Sequence, residues 1–517
     1  MNYQKIRQVI IFHWASLIAA LIIGLVLVGP FIYFIYKSDN EYKGIYMFAS
    51  DAELHYLARM NIGINEWTMG NPFFDNEEGL PSPLLTVSEI FLAIPSKVIG
   101  INVPTLNLVY KFLLPAVCSL FAYSLLFKLT KSRRGSIAGM TMIMIGSFLF
   151  NIPDLIHLFK WESVYGQFLP FDRPVNPQLS SILFFLYLYL VFVFLTRKSN
   201  GSIYAMTFLL GLSFYVYFYS FTFFLCLNFV LLFYVIYKKD YISGKKLVIS
   251  TVLGIVMGFY AIINIYSLYS HPYFESLAKL GDITYSHAPI ISLAWLMVTV
   301  AFVSINFIVK YLPFRGYMYV LLLTSFLVIN QQVITGISLQ QGHYHWYFNV
   351  PIFVIVTMYM LTHILKNKKR FLFVSITILI CFLSILQAFL VQSSSYKNAY
   401  KQTIVDNKYA SILDWLGKKP RSVILTENSL SALIPVYTNN QVVWEDHASY
   451  YLMNNDRRKL TNNFVLKNLR NRQLFERLNI DFVVLDQANV TGYIDEQDTS
   501  LKEVYKDDTF VIYAFPN

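Results

Sequence analysis

The chain has 517 residues, of which 56% are hydrophobic and only 14% are charged. Soluble globular proteins carry about 25% charged residues, so this composition excludes a soluble globular protein. The formal charge of +11 would suit a nucleic-acid partner, but the placement of the basic residues indicates membrane topology instead. We therefore expect no nucleic-acid partner. Cys118, Cys226 and Cys381 all lie in apolar runs, which leaves no cysteine for a disulfide or a metal site in the polar loops.

Apolar runs long enough to cross a bilayer as helices recur along the first three quarters of the chain. They predict eleven spans, the first too long for the core of a signal peptide. The continuous apolar stretch 202–237 is divided into two spans at the Tyr215–Ser220 aromatic run. The shorter apolar segment 84–99 is predicted to be an interfacial helix. The predicted spans are 9–36, 105–127, 136–152, 178–196, 202–217, 220–237, 247–268, 289–309, 316–333, 348–365 and 371–392.

Basic residues occupy alternate loops, and Asp240 is the only acid among them. By the positive-inside rule these loops face the cytoplasm. We therefore expect a multi-pass protein of the cytoplasmic membrane with a cytoplasmic N-terminus and an extracytoplasmic C-terminal region. The basic residues are Lys5, Arg7, Lys128, Lys131, Arg133, Arg134, Arg197, Lys198, Lys238, Lys239, Lys245, Lys246, Lys310, Arg315, Lys366, Lys368, Lys369 and Arg370.

The composition changes near residue 394, after a predicted linker at Ser393–Ser395. Helical patterns at 408–416 and 457–478 alternate with strand patterns, which is typical of a small α/β domain. The predicted strands are 422–426, 441–444, 481–485 and 510–513. The expected organisation is a transmembrane domain over 1–393, with a long first outer loop at 37–104, followed by a soluble extracytoplasmic α/β domain over 394–517.

The first outer loop holds the densest group of ionisable residues: Asp51, Glu53, His55 and Arg59. On a helix over 50–60, Asp51, His55 and Arg59 would share one face because their spacing is i, i+4, i+8. A carboxylate at the edge of a bilayer is partly desolvated, which raises its pKa and makes it a better base. The alternative is an amphipathic interfacial helix with ordinary surface charges.

Two further outer loops present polar groups beside the apolar spans. Glu162, Asp172, Arg173 and Asn176 lie in the loop before the fourth span, where the planar fork of arginine suits a phosphate. The alternative there is a helix entry with an interfacial anchor. His343 and His345 precede the tenth span and could bind phosphate, a sugar hydroxyl or a metal; two histidines alone do not make a metal site.

The whole chain resembles the GT-C superfold of membrane glycosyltransferases, which use polyprenyl-phosphate sugars as donors. The segment Ser50–Tyr56 looks like the acidic motif that this family places after its first helix. The resemblance implies that Asp51 is the catalytic base. It also implies that Arg173 and 342–346 contact the donor.

These residues suggest a glycosyl transfer to an extracytoplasmic glycan, lipid or protein acceptor. The reaction needs a base for the acceptor hydroxyl and cations for the departing phosphate, and in-line attack of a hexose or pentose donor inverts the anomeric centre. The expected roles are Asp51 and Glu53 as catalytic residues, His55, Arg59, Asp172, Arg173, His343 and His345 toward the donor, and Glu162 and Asn176 toward the acceptor. The sequence specifies no cofactor, although Asp51 and Glu53 could together hold Mg²⁺ or Mn²⁺.

Three alternatives remain open. A transporter or flippase usually keeps its ionisable residues near the membrane midplane, whereas these cluster on one predicted side. A polysaccharide polymerase or ligase would also handle lipid-linked glycans. A non-catalytic scaffold is the third alternative. Nothing in the sequence specifies the sugar, the acceptor or the length of the lipid.

Overall fold

The computed structural model describes residues 3–66, 71–74, 80–82, 85, 87–161, 168–280, 284–309, 311–338, 340–366, 369–469, 471–493 and 501–515. The helices are α1 Tyr3–Ser38, α2 Asp51–Glu66, α3 Val87–Ile99, α4 Val103–Thr130, α5 Arg133–Ile145, α6 Ile152–Phe159, α7 Ser180–Arg197, α8 Asn200–Val216, α9 Phe218–Tyr237, α10 Tyr241–Met257, α11 Phe259–Tyr269, α12 Phe274–Leu280, α13 Leu293–Ile308, α14 Arg315–Ile329, α15 Gln332–Thr335, α16 Gln341–Tyr344, α17 Val350–Leu365, α18 Arg370–Asp406, α19 Ala410–Gly417, α20 Asn428–Tyr437, α21 Asn455–Lys459, α22 Asn462–Leu466, α23 Arg472–Arg477 and α24 Val490–Tyr493.

The strands of the described residues form two sheets. The strands are β1 Thr284–Tyr285, β2 Ile337–Ser338, β3 Val423–Leu425, β4 Gln441–Val442, β5 Phe482–Asp486, β6 Lys502–Lys506 and β7 Phe510–Ala514. β1 and β2 pair antiparallel with each other. The larger sheet has the order β4-β3-β5-β7-β6, in which β3 is parallel to β4 and β5, and β7 is antiparallel to β5 and β6.

The prediction of a multi-pass helical membrane protein is confirmed, but the count of eleven spans is not. Seven helical stretches of the described chain are long and apolar enough to cross a membrane. An eighth span results if α10 and α11, which meet at a bend of 62°, are taken together. Helices also form at three other predicted spans, but α5, α8 and α13 have only 13, 17 and 16 residues. Apolar length in the sequence therefore overestimates the length of regular helix.

Local boundaries agree with the sequence in some places and differ in others. α8 and α9 separate at Tyr217, inside the aromatic run where a break was predicted. The expected linker at Ser393–Ser395 is wrong, because α18 continues through these serines as one helix of 37 residues. The single helix expected over 457–478 is also wrong. Three short helices, α21, α22 and α23, replace it, and Asn454, Thr461 and Asn471 cap them.

The described chain forms two compact units. The helical unit comprises Met1–Pro30, Val109–Ala261 and Asp282–Tyr396, and the mixed unit comprises Phe31–Leu108, Ile262–Gly281 and Lys397–Asn517. Glycines allow close helix packing in the helical unit: a Cβ on Gly24 would lie 2.5 Å from the carbonyl oxygen of Phe112, and one on Gly254 would lie 2.7 Å from the Leu210 side chain. Small residues at such contacts are the usual means of packing membrane helices.

The mixed unit combines the first predicted outer loop with the C-terminal residues. Asn407 accepts hydrogen bonds from the backbone N–H groups of Lys43 and Ile45, and the Tyr437 hydroxyl accepts one from Tyr46 N–H. An apolar core that includes Leu425, Val483 and Val511 lies on the larger sheet. Because successive strand residues point to opposite faces, the valine and leucine residues of β3, β5 and β7 that point to this side form the buried face of the sheet.

Candidate functional site

Helix α2 begins at Asp51 and presents its ionisable side chains to the interior of the mixed unit. Glu53, His55 and Arg59 are 1%, 5% and 2% exposed, so this helix is not the solvated amphipathic one of the alternative interpretation. Asp51 has the expected position at the start of the helix, although its side chain lies outside what the structure describes. Ionisable side chains at this depth require partners, and each described one has them.

Glu53 accepts hydrogen bonds through both of its carboxylate oxygens. Its Oε1 accepts a hydrogen bond of 2.6 Å from Asn107 Nδ2, and its Oε2 accepts one from the backbone N–H of Ala49. The carboxylate thereby ties α2 both to α4 and to the segment that leads into α2. This arrangement fixes the residues immediately around Asp51, so Glu53 has the contacts of a positioning residue.

Arg59 forms a buried ion pair with Glu89 of α3. The closest nitrogen and oxygen are 3.0 Å apart, and Arg59 also donates to the carbonyl of Leu85 at 3.1 Å. Burial raises the pKa of Glu89, while the nearby guanidinium acts in the opposite direction. The charge of Arg59 is thus already balanced inside the mixed unit, and its predicted contact with a donor phosphate stays a prediction.

His55 packs in an aromatic cluster. Its Nε2 lies 3.0 Å from the Tyr451 hydroxyl, and its ring stacks on Phe73 and on His447. His447 in turn hydrogen-bonds Glu445 at 2.9 Å. Burial, followed by the charges of Arg59 and His447, lowers the pKa of His55 well below its ordinary value. A neutral imidazole is therefore favoured, which suits hydrogen bonding and packing better than it suits neutralising a phosphate.

A second polar group lies in the helical unit around Asp172. Lys111 of α4 is 1% exposed, and its Nζ donates to the backbone carbonyl of Asp172 at 2.8 Å. Gln392 of α18 lies 3.3 Å from the Asp172 carboxylate. Arg173 is half-buried and donates to the Tyr347 hydroxyl at 2.8 Å. Two cations thus approach one turn of the chain in a largely apolar unit.

Other polar groups of the helical unit have no hydrogen-bond partner among the described residues. They include Asn176 Oδ1 and both amide atoms of Gln387, and both of these side chains are buried. Buried polar groups are nearly always hydrogen-bonded, so these amides have capacity for a polar ligand or ordered water. Asn176 interrupts the wide helical turn Pro174–Leu179 with an extended backbone.

The predicted histidine pair separates into two environments. His343 hydrogen-bonds the Tyr217 hydroxyl and stacks on Tyr219, with ring centroids 4.6 Å apart. His345 contacts Trp346 edge-on. No cluster of three or more metal-ligating side chains occurs among the described residues. The Asp51 side chain lies outside the described residues, so a Mg²⁺ or Mn²⁺ ion shared by Asp51 and Glu53 stays a prediction.

The structure brings together some predicted residues and adds others that the sequence analysis missed. Glu53, His55 and Arg59 gather in the mixed unit, Asp172 and Arg173 in the helical unit, and Glu162 lies outside the described residues. The missed residues are Lys111, Asn107, Gln387 and Tyr451. Lys111 carried a usable signal, since a lysine within a predicted span marks a functional site by default.

No family model matches the chain, and no curated protein is similar to it in sequence. Among solved structures, ArnT from Cupriavidus metallidurans bound to undecaprenyl phosphate is similar, with a TM-score of 0.51 and 9% identity over 98% of each chain. The apo form of that ArnT gives a TM-score of 0.48 at 10% identity, covering 90% of this chain and 93% of the other.

An oligosaccharyltransferase from Archaeoglobus fulgidus, tethered to an acceptor peptide with an NVT sequon, gives a TM-score of 0.41 at 11% identity, covering 93% of this chain and 69% of the other. The likeness to ArnT with undecaprenyl phosphate spans nearly all of both chains, and it is a likeness of fold. The chain therefore shares its overall fold with that ArnT structure, as the resemblance to the GT-C superfold led us to expect.

Proposed function

We propose that the protein is an integral membrane glycosyltransferase that moves a sugar from a polyprenyl-phosphate donor to an acceptor on the extracytoplasmic side. The observation that carries this proposal is Lys111, a fully buried cation within a membrane span of a GT-C fold. An ionisable residue inside a membrane protein is costly and is retained for function. The similar ArnT structure holds undecaprenyl phosphate, which is a ligand of the expected class.

In the proposed reaction, the acceptor hydroxyl oxygen attacks the anomeric carbon and the bond from that carbon to the phosphate oxygen breaks. The acceptor proton passes to Asp51, and the polyprenyl phosphate leaves with the electron pair as an anion. Because attack is in line, the anomeric centre is inverted. Lys111 and Arg173 balance the phosphate charge, which cannot rely on water near hydrocarbon. Asn176 and Gln387 contribute neutral hydrogen-bonding groups.

The structural surroundings of α2 support Asp51 rather than Glu53 as the base. Both oxygens of Glu53 accept hydrogen bonds from groups that are always donors, Asn107 Nδ2 and Ala49 N–H. A proton on that carboxylate would weaken one of these hydrogen bonds, because a protonated oxygen is the poorer acceptor. Asp51 is the remaining carboxylate of the motif, and it stands at the first residue of the helix that Glu53 holds in place.

The test is sugar transfer by Asp51→Asn, with Glu66→Gln as the matched control on the same helix. Glu66 pairs with Arg421 at 2.9 Å and lies outside the proposed machinery. We expect Asp51→Asn to fold and to lose transfer by roughly 10²–10⁴-fold, the usual contribution of a positioned base, while Glu66→Gln stays active. Turnover of purified Asp51→Asn near the wild-type rate would remove Asp51 from the mechanism.

A further inference from the structure

A cavity of about 250 Å³ lies in the mixed unit beside the larger sheet. Val423 of β3 and Gln441 of β4 contribute to its wall, and Arg457 and Arg477 line it with two positive charges. None of the described lining residues is acidic. The volume is slightly below the range of about 300–1,000 Å³ typical of whole-ligand sites. It therefore suits one charged group of a larger molecule.

Arg457 is fixed in place before any ligand arrives. Its guanidinium carbon lies 4.0 Å from the centre of the Phe74 ring, and its nitrogens donate to the carbonyls of Val443 and Leu460. A guanidinium has five N–H donors, so these two bonds leave donors to spare. An arginine ordered in this way loses little conformational freedom when it binds an anion.

Arg477 adds a second cation that no acid among the described residues balances. Arg477 is exposed at the end of α23 and makes no ion pair or hydrogen bond with the described residues. Its charge, after burial as the main cause, lowers the pKa of Arg457 to about 10. Two like charges that line one cavity repel each other, and an anion between them would relieve that repulsion.

The cavity is connected to α2 by two adjacent residues. Phe73 stacks on His55, with centroids 5.7 Å apart, while Phe74 lies under Arg457. The Phe73 carbonyl accepts a hydrogen bond of 2.7 Å from Val442 N–H, so the segment is fixed along the edge of β4. The two arginines thus belong to the same packed region as the helix that begins at Asp51.

From these contacts we propose that the Arg457–Arg477 cavity binds an anionic group of the acceptor, a phosphate or a carboxylate attached to a sugar. That the bound molecule is the acceptor rests on the proposed function. The binding of an anion in this cavity does not depend on it. Paired arginines recognise both groups through charge-assisted hydrogen bonds. The cavity would select acidic acceptors over neutral ones and would hold them near α2.

The experiment is calorimetric binding to the purified full-length chain in detergent, with glucose 6-phosphate, glucuronate and neutral methyl glucoside as probes. We expect at least one acidic probe to bind and methyl glucoside not to bind. Arg477→Gln should weaken acidic-probe binding roughly tenfold or more, the usual effect of losing a charged hydrogen bond. The stronger of the two acidic probes identifies the anion as phosphate or carboxylate.

Arg472→Gln is the matched control, because Arg472 is an exposed arginine of the same helix that pairs with Glu476 and does not line the cavity. It should bind the probes as the wild type does. Equal binding by wild type and Arg477→Gln, or no binding of either acidic probe, would overturn the proposal. Asp51→Asn should still bind the acidic probes. Failure of the transferase proposal would appear in the transfer assay, and failure of the anion site would appear in the binding assay, so the two are distinguishable.

The acidic residues Asp75, Glu77 and Glu78 follow Phe74 in the sequence and provide a second check. If the wild type bound no acidic probe, but the triple variant Asp75→Asn, Glu77→Gln, Glu78→Gln did bind, the chain's own acids would be the natural partners of the arginines. That result would also overturn the proposal.

Discussion

At the scale of single residues, Arg173 is the best candidate for direct contact with a donor phosphate. It is half-buried and donates a hydrogen bond to the Tyr347 hydroxyl. Arg173→Lys keeps the charge but loses the planar fork, so we expect the affinity for undecaprenyl phosphate to fall about tenfold. Tyr347→Phe is the control. If both variants lost affinity equally, Arg173 would act only through its bond to Tyr347.

Arg59 is either a structural partner of Glu89 or a contact of the donor phosphate, and the two roles predict different effects of its removal. If the pair is structural, removing Arg59 leaves the buried charge of Glu89 without a partner. Arg59→Met should then lower the free energy of unfolding by about 3–5 kcal/mol. The double variant Arg59→Met, Glu89→Leu should recover most of that loss. Denaturant titration in detergent measures both. A stable Arg59→Met that failed to bind undecaprenyl phosphate would instead favour the donor contact expected from the sequence.

At the scale of elements, His55 ties α2 to the C-terminal part of the mixed unit through Tyr451. In the folded chain the pKa of His55 is lowered from its ordinary value of 6.5. Above pH 6.5 the His55 ring is therefore neutral in both the folded and the unfolded chain, and its contribution to stability is fully present. Below that pH His55 becomes protonated in the unfolded chain but stays neutral in the folded chain. We expect the free energy of unfolding to fall by about 1.4 kcal/mol per pH unit from this group.

His55→Gln isolates that contribution, because glutamine is neutral at every pH and can still hydrogen-bond Tyr451. Unfolding of the wild type and of His55→Gln should therefore diverge in pH dependence below pH 6.5 and run parallel above it. Parallel curves from pH 4.5 to 8 would show that burial of His55 does not control its protonation.

The elements themselves were predicted with uneven success. The helix at α2, the break at Tyr217 and four strands of the larger sheet followed from local patterns. β6 was missed because its residues, Lys502–Lys506, are mostly exposed and charged at the sheet edge. The serines at 393–395 were interpreted as a linker, but a polar helix surface tolerates serine, so composition alone did not mark an end.

At the scale of the whole molecule, orientation in the membrane stays a prediction from the basic loops. Exposed positions suitable for labelling are Ala288 in a predicted outer loop and Asn200 in a predicted inner loop. In a background without Cys118, Cys226 and Cys381, an impermeant thiol reagent should label Ala288→Cys in intact cells and Asn200→Cys only after permeabilisation. The reverse pattern would invert the topology.

The sequence by itself determined that the chain is a helical membrane protein with an acidic motif after its first span. Apolar length and charge placement are local properties, so they can be interpreted without coordinates. Only the tertiary structure decided which ionisable groups have partners. The pairing of Arg59 with Glu89, and of Lys111 with the Asp172 carbonyl, joins residues 30 and 61 positions apart in the chain. Such pairing is set by packing, because a buried charge takes whichever partner the folded interior brings within reach.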